Sequence, residues 1–169
     1  MSEPAEDRIK FLRRLRAIKE YSSEPVPEPV IQDILEVGRW AGSGANRQPT
    51  EVVVVRDADV RRKFGEWGAR PAAAAPLVLL LVTNTEASAF DEGRMAERLL
   101  LAAAAHGLGS TVATLKNEGP DDAKKLLGIP EGKRARTVVA IGKPDAAAPR
   151  GSTPGGRKPL SEYAHWERY

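Results

Sequence analysis

A single domain mixing helices and strands is what this sequence predicts, and three observations carry that expectation. The chain has 169 residues, a length that suits one compact domain with its own core. Three apolar runs of strand length, Glu51–Arg56, Leu77–Thr83 and Thr137–Gly142, read as buried strands. Around them lie segments whose apolar residues recur at helical spacing. Helices and strands do not alternate regularly, no internal repeat is evident, and no G-x-G-x-x-G follows a strand, so a Rossmann unit is not indicated.

In chain order, Ile9, Leu12, Leu15, Ile18 and Tyr21 recur every third residue after Pro4, which predicts a helix with one apolar stripe. Pro25, Pro27 and Pro29 end it and introduce a second helix carrying Val30, Ile31, Ile34, Leu35, Val37 and Ala41. The turn-forming loop from Gly42 to Pro49 leads into the first strand, Glu51–Arg56, expected to be buried on both faces. Asp57 can cap a helix holding Val60, Phe64 and Trp67. The Ala/Pro stretch from Pro71 to Pro76 leads into the second strand. Asp91 opens a long helix with a run of alanines, Ala102 to Ala105, and Gly107 or Gly109 closes it. Ser110–Leu115 reads as a short strand, and Pro120 starts a helix that ends near Gly128. Beyond Pro144 the chain turns rich in Ala, Pro and Gly, an extended arm ending in Leu160, Tyr163, Trp166 and Tyr169. An arm tipped with aromatics is expected to dock, and a second copy of the chain is the nearest surface.

Composition closes off several kinds of chemistry. With no Cys there are no disulfides, thiolate metal sites, iron–sulfur clusters or Cys nucleophiles, which fits a reducing cytoplasm. Met1 to Lys10 is charged and resembles no signal peptide, and the run Pro76–Val82 is too short to span a bilayer. A net charge of +3 with pI about 9.3 could serve nucleic acid. However, Arg and Lys are interleaved with acids, as in Asp121-Asp122-Ala123-Lys124-Lys125, and a mixed-sign solvated surface is expected instead. The histidines are His106 and His165 alone, too few for a usual zinc site, and no nucleophile elbow supports a Ser–His–Asp triad.

Four segments, in order, resemble the FMN-dependent nitroreductase family: Arg16-Ala17-Ile18-Lys19-Glu20-Tyr21, Ala41-Gly42-Ser43-Gly44-Ala45-Asn46-Arg47-Gln48-Pro49, the Asp91 helix ending in Gly107-Leu108-Gly109-Ser110, and Arg157-Lys158-Pro159-Leu160. Gly128-Ile129-Pro130-Glu131 and Ile141-Gly142-Lys143-Pro144 lie between them, and the match runs from about Ile9 to the C-terminus. The resemblance implies an α+β fold of three layers, a mixed and mostly antiparallel sheet with helices on both faces, in a homodimer. It implies one domain over residues 1–169, with 145–169 as an arm on the partner subunit.

The same resemblance assigns the site. Arg16, Ala17 and Lys19 inherit the places that hold the ribityl phosphate and pyrimidine edge of FMN. The chemistry suits them: a phosphate wants charge-assisted donors, and a cation near N1 and O2 stabilises reduced flavin. Leu15 stands where the family often has an Arg and Ala17 where it often has Ser, with Arg13 or Arg14 able to substitute. Ser43, Asn46 and Gln48 match a loop that the partner subunit supplies to the flavin; Gly42 and Thr50 depart from the usual Pro and Trp. Val112, Ala113 and Thr114 would approach the isoalloxazine, where a backbone N–H tunes N5. Arg157, or else Lys158, would close on the phosphate, and the Lys116-Asn117-Glu118-Gly119 turn would line the substrate mouth or serve as a plain turn. The implied reaction is ping-pong: NAD(P)H reduces the flavin and a nitroaromatic, quinone or similar oxidant reoxidises it, with no side-chain acid, base or metal required. Dehalogenation or ring fragmentation on the same scaffold, and cofactor-free nucleic-acid binding, are the alternative readings.

Overall fold

The computed structural model describes residues 4–84, 89–146 and 156–169. The chain runs α1 (Ala5–Arg14), α2 (Glu28–Arg39), β1 (Thr50–Val55), α3 (Ala58–Glu66), α4 (Arg70–Ala74), β2 (Leu77–Thr83), α5 (Ala89–Ala105), β3 (Gly109–Thr114), α6 (Gly119–Leu127), β4 (Arg134–Gly142) and α7 (Leu160–Tyr163).

β2 is buried at every position, and strand alternation explains how it serves two cores at once. Leu77, Leu79 and Leu81 face α2 and α5, packing with Ile31, Ile34, Ala96 and Leu99. Val78, Leu80 and Val82 face the other way, onto Phe64, Ala72 and Ala123 from α3, α4 and α6. Each fully buried leucine contributes about 1.5–3 kcal/mol relative to exposure. The sheet order is β1-β2-β4-β3 with every ladder antiparallel. One parallel bridge, Ala17 to Ser110, adds to its edge. The three-layer α+β expectation is borne out. In β4 the register against β2 shifts between Leu81 and Val82. The extra residue on β4 flips the parity, so Ala135 and Val138 both reach the core beneath α3, α4 and α6.

Local chemistry sets the boundaries. Asp57 accepts from the backbone N–H groups of Asp59 and Val60 at 2.8 and 3.0 Å, capping α3. Pro120 sits in the first turn of α6, and Gly128 closes that helix at φ +66°. The Ala/Pro stretch before β2 is partly helical, because Ala69, Ala72 and Ala75 are small enough to bury α4 flush on the core.

Two expectations need correction. β1 is not buried on both faces; among the described residues it is an edge strand with β2 as its one neighbour, and Val54 is 37% exposed. The first helix does not reach Tyr21. It stops at Arg14, and the segment after it joins the sheet, with the Ile18 N–H donating to the Ser110 carbonyl at 3.0 Å. The Tyr21 hydroxyl donates to the Ala140 carbonyl at 3.2 Å and to the Ile18 carbonyl. Those bonds replace the helical ones, and a Cβ at Gly109 would sit 2.8 Å from Ile18. The apolar stripe of α1 stays largely uncovered, with Ile9 54% and Leu12 48% exposed.

Residues 147–155 of the expected arm lie outside the described residues. Past them, Leu160, Tyr163, Trp166 and Tyr169 are all strongly exposed. Among the described residues no helix is long and apolar enough to cross a membrane.

Candidate functional site

A cavity of about 750 Å3 opens beside β3 and takes its walls from both ends of the chain. Leu12, Arg13, Leu15, Arg16 and Ala17 come from the end of α1 and the extended segment after it. Glu97 and Leu100 come from α5, Ser110, Thr111 and Val112 from β3, and Arg157 from beyond residue 156. The lining therefore holds three arginines, 13, 16 and 157, and one carboxylate, Glu97. The Arg16 guanidinium donates to the backbone carbonyls of Arg13 and Leu15 at 2.8 and 2.7 Å, folding back along its own segment.

Of the expected residues, Arg16, Ala17, Val112 and Arg157 meet in this cavity. Arg13 is there as well, beside Leu15, whereas Arg14 is not. Lys19 and Lys158 are exposed outside the lining. Ala113 faces the opposite core, as its alternate position on the strand requires, and Thr114 is exposed at the end of β3. The backbone of β3 matters more than its side chains. Among the described residues its outer edge is unpaired beyond Ser110, whose carbonyl already faces away from β4 to receive Ile18. By strand parity the N–H groups of Val112 and Thr114 point to that same open edge.

Ser43 and Gln48 line a different and smaller cavity of about 70 Å3, with Arg39, Asp91 and Met95. The Ser43 hydroxyl accepts from the Gln48 N–H at 2.9 Å and closes the loop on itself. Ala45, Asn46 and Gln48 have φ of +49°, +54° and +49°, a run of strained non-glycine residues of the kind that marks functional loops.

Glu97 and Leu100 were not legible as site residues. Their signal was helical spacing: with Gly93 they fall at i, i+4 and i+7 and so share one face of α5.

The cavity's size lies within the roughly 300–1,000 Å3 typical of cofactor pockets. Three guanidinium groups suit a phosphate. Ala17, Leu100 and Val112 offer small apolar walls, and the open β3 edge offers backbone donors. A phosphorylated planar cofactor fits this donor set. Among the described residues no group of three or more His, Asp or Glu could hold a metal ion.

A model of the nitroreductase family matches residues 12–86 and 71–143 of the chain. The NADH dehydrogenase of Thermus thermophilus is 30% identical, the match covering 89% of this chain and 91% of that protein. The iodotyrosine deiodinase of Nematostella vectensis is 26% identical, covering 96% of this chain and 75% of that one. An FMN-dependent nitroreductase from Clostridium difficile has the same fold, with a TM-score of 0.82 at 20% identity over 95% of this chain and 99% of that one.

Proposed function

The chain belongs to the nitroreductase family of NAD(P)H-dependent flavin oxidoreductases, and from that premise we propose that it binds FMN in the cavity beside β3 and passes reducing equivalents from NAD(P)H to nitroaromatic, quinone or similar acceptors in two half-reactions. The observation that carries this reading is the meeting of Arg13, Arg16 and Arg157, from opposite ends of the polypeptide, on one cavity next to an open strand edge. When bound, the flavin supplies the hydride chemistry. The chain's own residues do the rest. Arg157 and Arg13 hold the phosphate, and Arg16 joins them once it leaves the carbonyls of Arg13 and Leu15. The N–H groups of Val112 and Thr114 fix the ring against the sheet edge. Lys19 borders the pyrimidine end, where a cation favours the reduced form.

Ser43, Asn46 and Gln48 enter this reading through a second copy. Ser43 and Gln48 line a cavity of their own, and Asn46 lies on the same loop, so in a homodimer each loop serves the partner's cofactor. The exposed aromatics of the C-terminal arm then dock on that partner. A cytoplasmic location belongs to the same reading, because the donor is the NAD(P)H pool.

The test is spectroscopic. The purified protein should be yellow and absorb near 450 nm, and anaerobic NADH or NADPH should bleach that band. A colourless protein that gains no flavin from added FMN would refute the assignment. Reductive dehalogenation is a second reading, favoured by the match to the sea-anemone deiodinase along nearly this whole chain. Halide release from an iodinated phenol under the same anaerobic conditions decides between them.

A further inference from the structure

The first turns of α5 touch both the 43–48 loop and the sheet. On the loop side, the Asp91 carboxylate accepts from the Gly44 N–H at 3.5 Å. The Arg94 guanidinium lies so close over Gly42 that a Cβ there would sit 2.6 Å from Nη2. Asp91 and Met95 line the small cavity that also holds Ser43 and Gln48. On the sheet side, Glu92 is only 3% exposed, and its carboxylate lies 3.2 Å from the guanidinium of Arg134 at the start of β4. Arg134 is paired in register with Thr83 of β2, and Thr83 with Thr50 of β1. Both threonines are buried, and they share parity with Leu81 and Val52, which face α5. A polar row therefore crosses three strands beneath the helix and ends at Thr50, where the loop enters β1.

Stability does not account for this row. β2 is otherwise leucine and valine, and buried hydroxyls and ion pairs contribute no more than apolar packing of similar volume. What a carboxylate and a guanidinium add is direction, because they meet in one preferred geometry, whereas apolar side chains of the right volume pack in several. We propose that Glu92 and Arg134 are positioning residues: their pair pins the first turns of α5 to β4 and so sets where the 43–48 loop is presented to the second copy's flavin. Neither side chain lines the loop's own cavity. Their effect passes through Asp91 and Arg94, which flank Glu92 along α5. The inference rests on the homodimeric flavin reading and adds to it the groups that aim the loop.

The test titrates the full-length protein with FMN and reads flavin fluorescence. Glu92→Met/Arg134→Met replaces both charges with apolar groups, so its urea midpoint should stay close to the wild type. Its FMN affinity should fall about tenfold or more, the scale on which groups that orient binding residues act. Arg134→Lys keeps the charge pair but not the forked geometry, and it too should weaken FMN binding. Wild-type affinity in the double variant, or in Arg134→Lys where the double variant does not fold, overturns the proposal. A mixed dimer, isolated with two different tags, then shows on which copy the pair acts. One copy carries Glu92→Met/Arg134→Met and the other Arg157→Ala. The first copy's cavity keeps Arg157 and receives an intact loop, so one FMN should bind per dimer as tightly as in the wild type. If the pair served its own copy's cavity instead, both sites would be damaged and no tight site would remain, which also overturns the proposal. A wild-type protein that takes up no FMN fails the flavin reading and this inference with it; a wild type and a double variant that bind FMN equally fail the inference alone.

Discussion

Tyr21 ties the segment after α1 to the sheet through its hydroxyl, bonded to the carbonyls of Ala140 and Ile18. It thereby fixes where Arg16 and Ala17 stand. Burial pushes its phenol above the ordinary value of 10.0, since the charged form is penalised inside the protein. A raised folded-state pKa means that the stabilisation is complete below pH 10 and is lost as pH rises above it. Tyr21→Phe should lower unfolding stability by about 0.5–1.5 kcal/mol by removing the hydroxyl's bond to the Ile18 carbonyl, which holds the segment after α1 on the sheet, as urea titration would measure. It should also flatten the decline of stability above pH 10. Arg157 is the other residue on which the site turns. Arg157→Ala should weaken FMN binding by about 1.5–3 kcal/mol, roughly ten- to a hundredfold in Kd; unchanged affinity in a fluorescence titration would count against its place at the phosphate. At this scale the sequence made Arg16 and Arg157 legible through motif position. It offered Arg13 and Arg14 alike and did not reveal that Arg13 is the one that lines the cavity, nor that Ala113 turns its back on it. Those facts depend on where a helix stops and which way a strand faces, and both are decided by neighbours distant in sequence.

Elements whose signals are local were read well. α6 is bounded by Pro120 and Gly128, and α3 by the Asp57 cap. Asp57→Ala should cost about 0.5–2 kcal/mol of stability, seen as a lower urea midpoint with an unchanged slope; no shift would mean the helix start is held by packing alone. β2 was legible because a strand buried on both faces needs an unbroken apolar run. The same rule misled at β1, where Val52 to Val55 looks equally apolar yet lies at the sheet edge. Strand order is a long-range property, and composition does not encode it. The end of α1 failed for a related reason. A three-residue spacing suits a helical stripe, but the backbone of Ala17 and Ile18 finds its partners on β3 instead, a competition visible only once the sheet exists.

For the molecule as a whole, three layers bury two cores and still leave apolar side chains uncovered. Ile9, Leu12, Phe90 and Val112 are exposed, together with the aromatics of the C-terminal arm. This much uncovered apolar surface marks an interaction face. Truncation after Pro144 removes the arm but spares the sheet and both cores. It should therefore yield a folded protein that shifts from dimer toward monomer, and light scattering that finds an unaltered dimer would contradict the docking arm.

The walls of the larger cavity stretch from Leu12 to Arg157, nearly the full length of the 169-residue chain. During synthesis the ribosome still conceals the last of those walls when β4, the inner strand that joins β2 to β3, has only just emerged. The cavity is thus complete only once Arg157 has emerged. A nascent polypeptide stalled before Arg157 would be folded at its centre with that wall of the cavity missing.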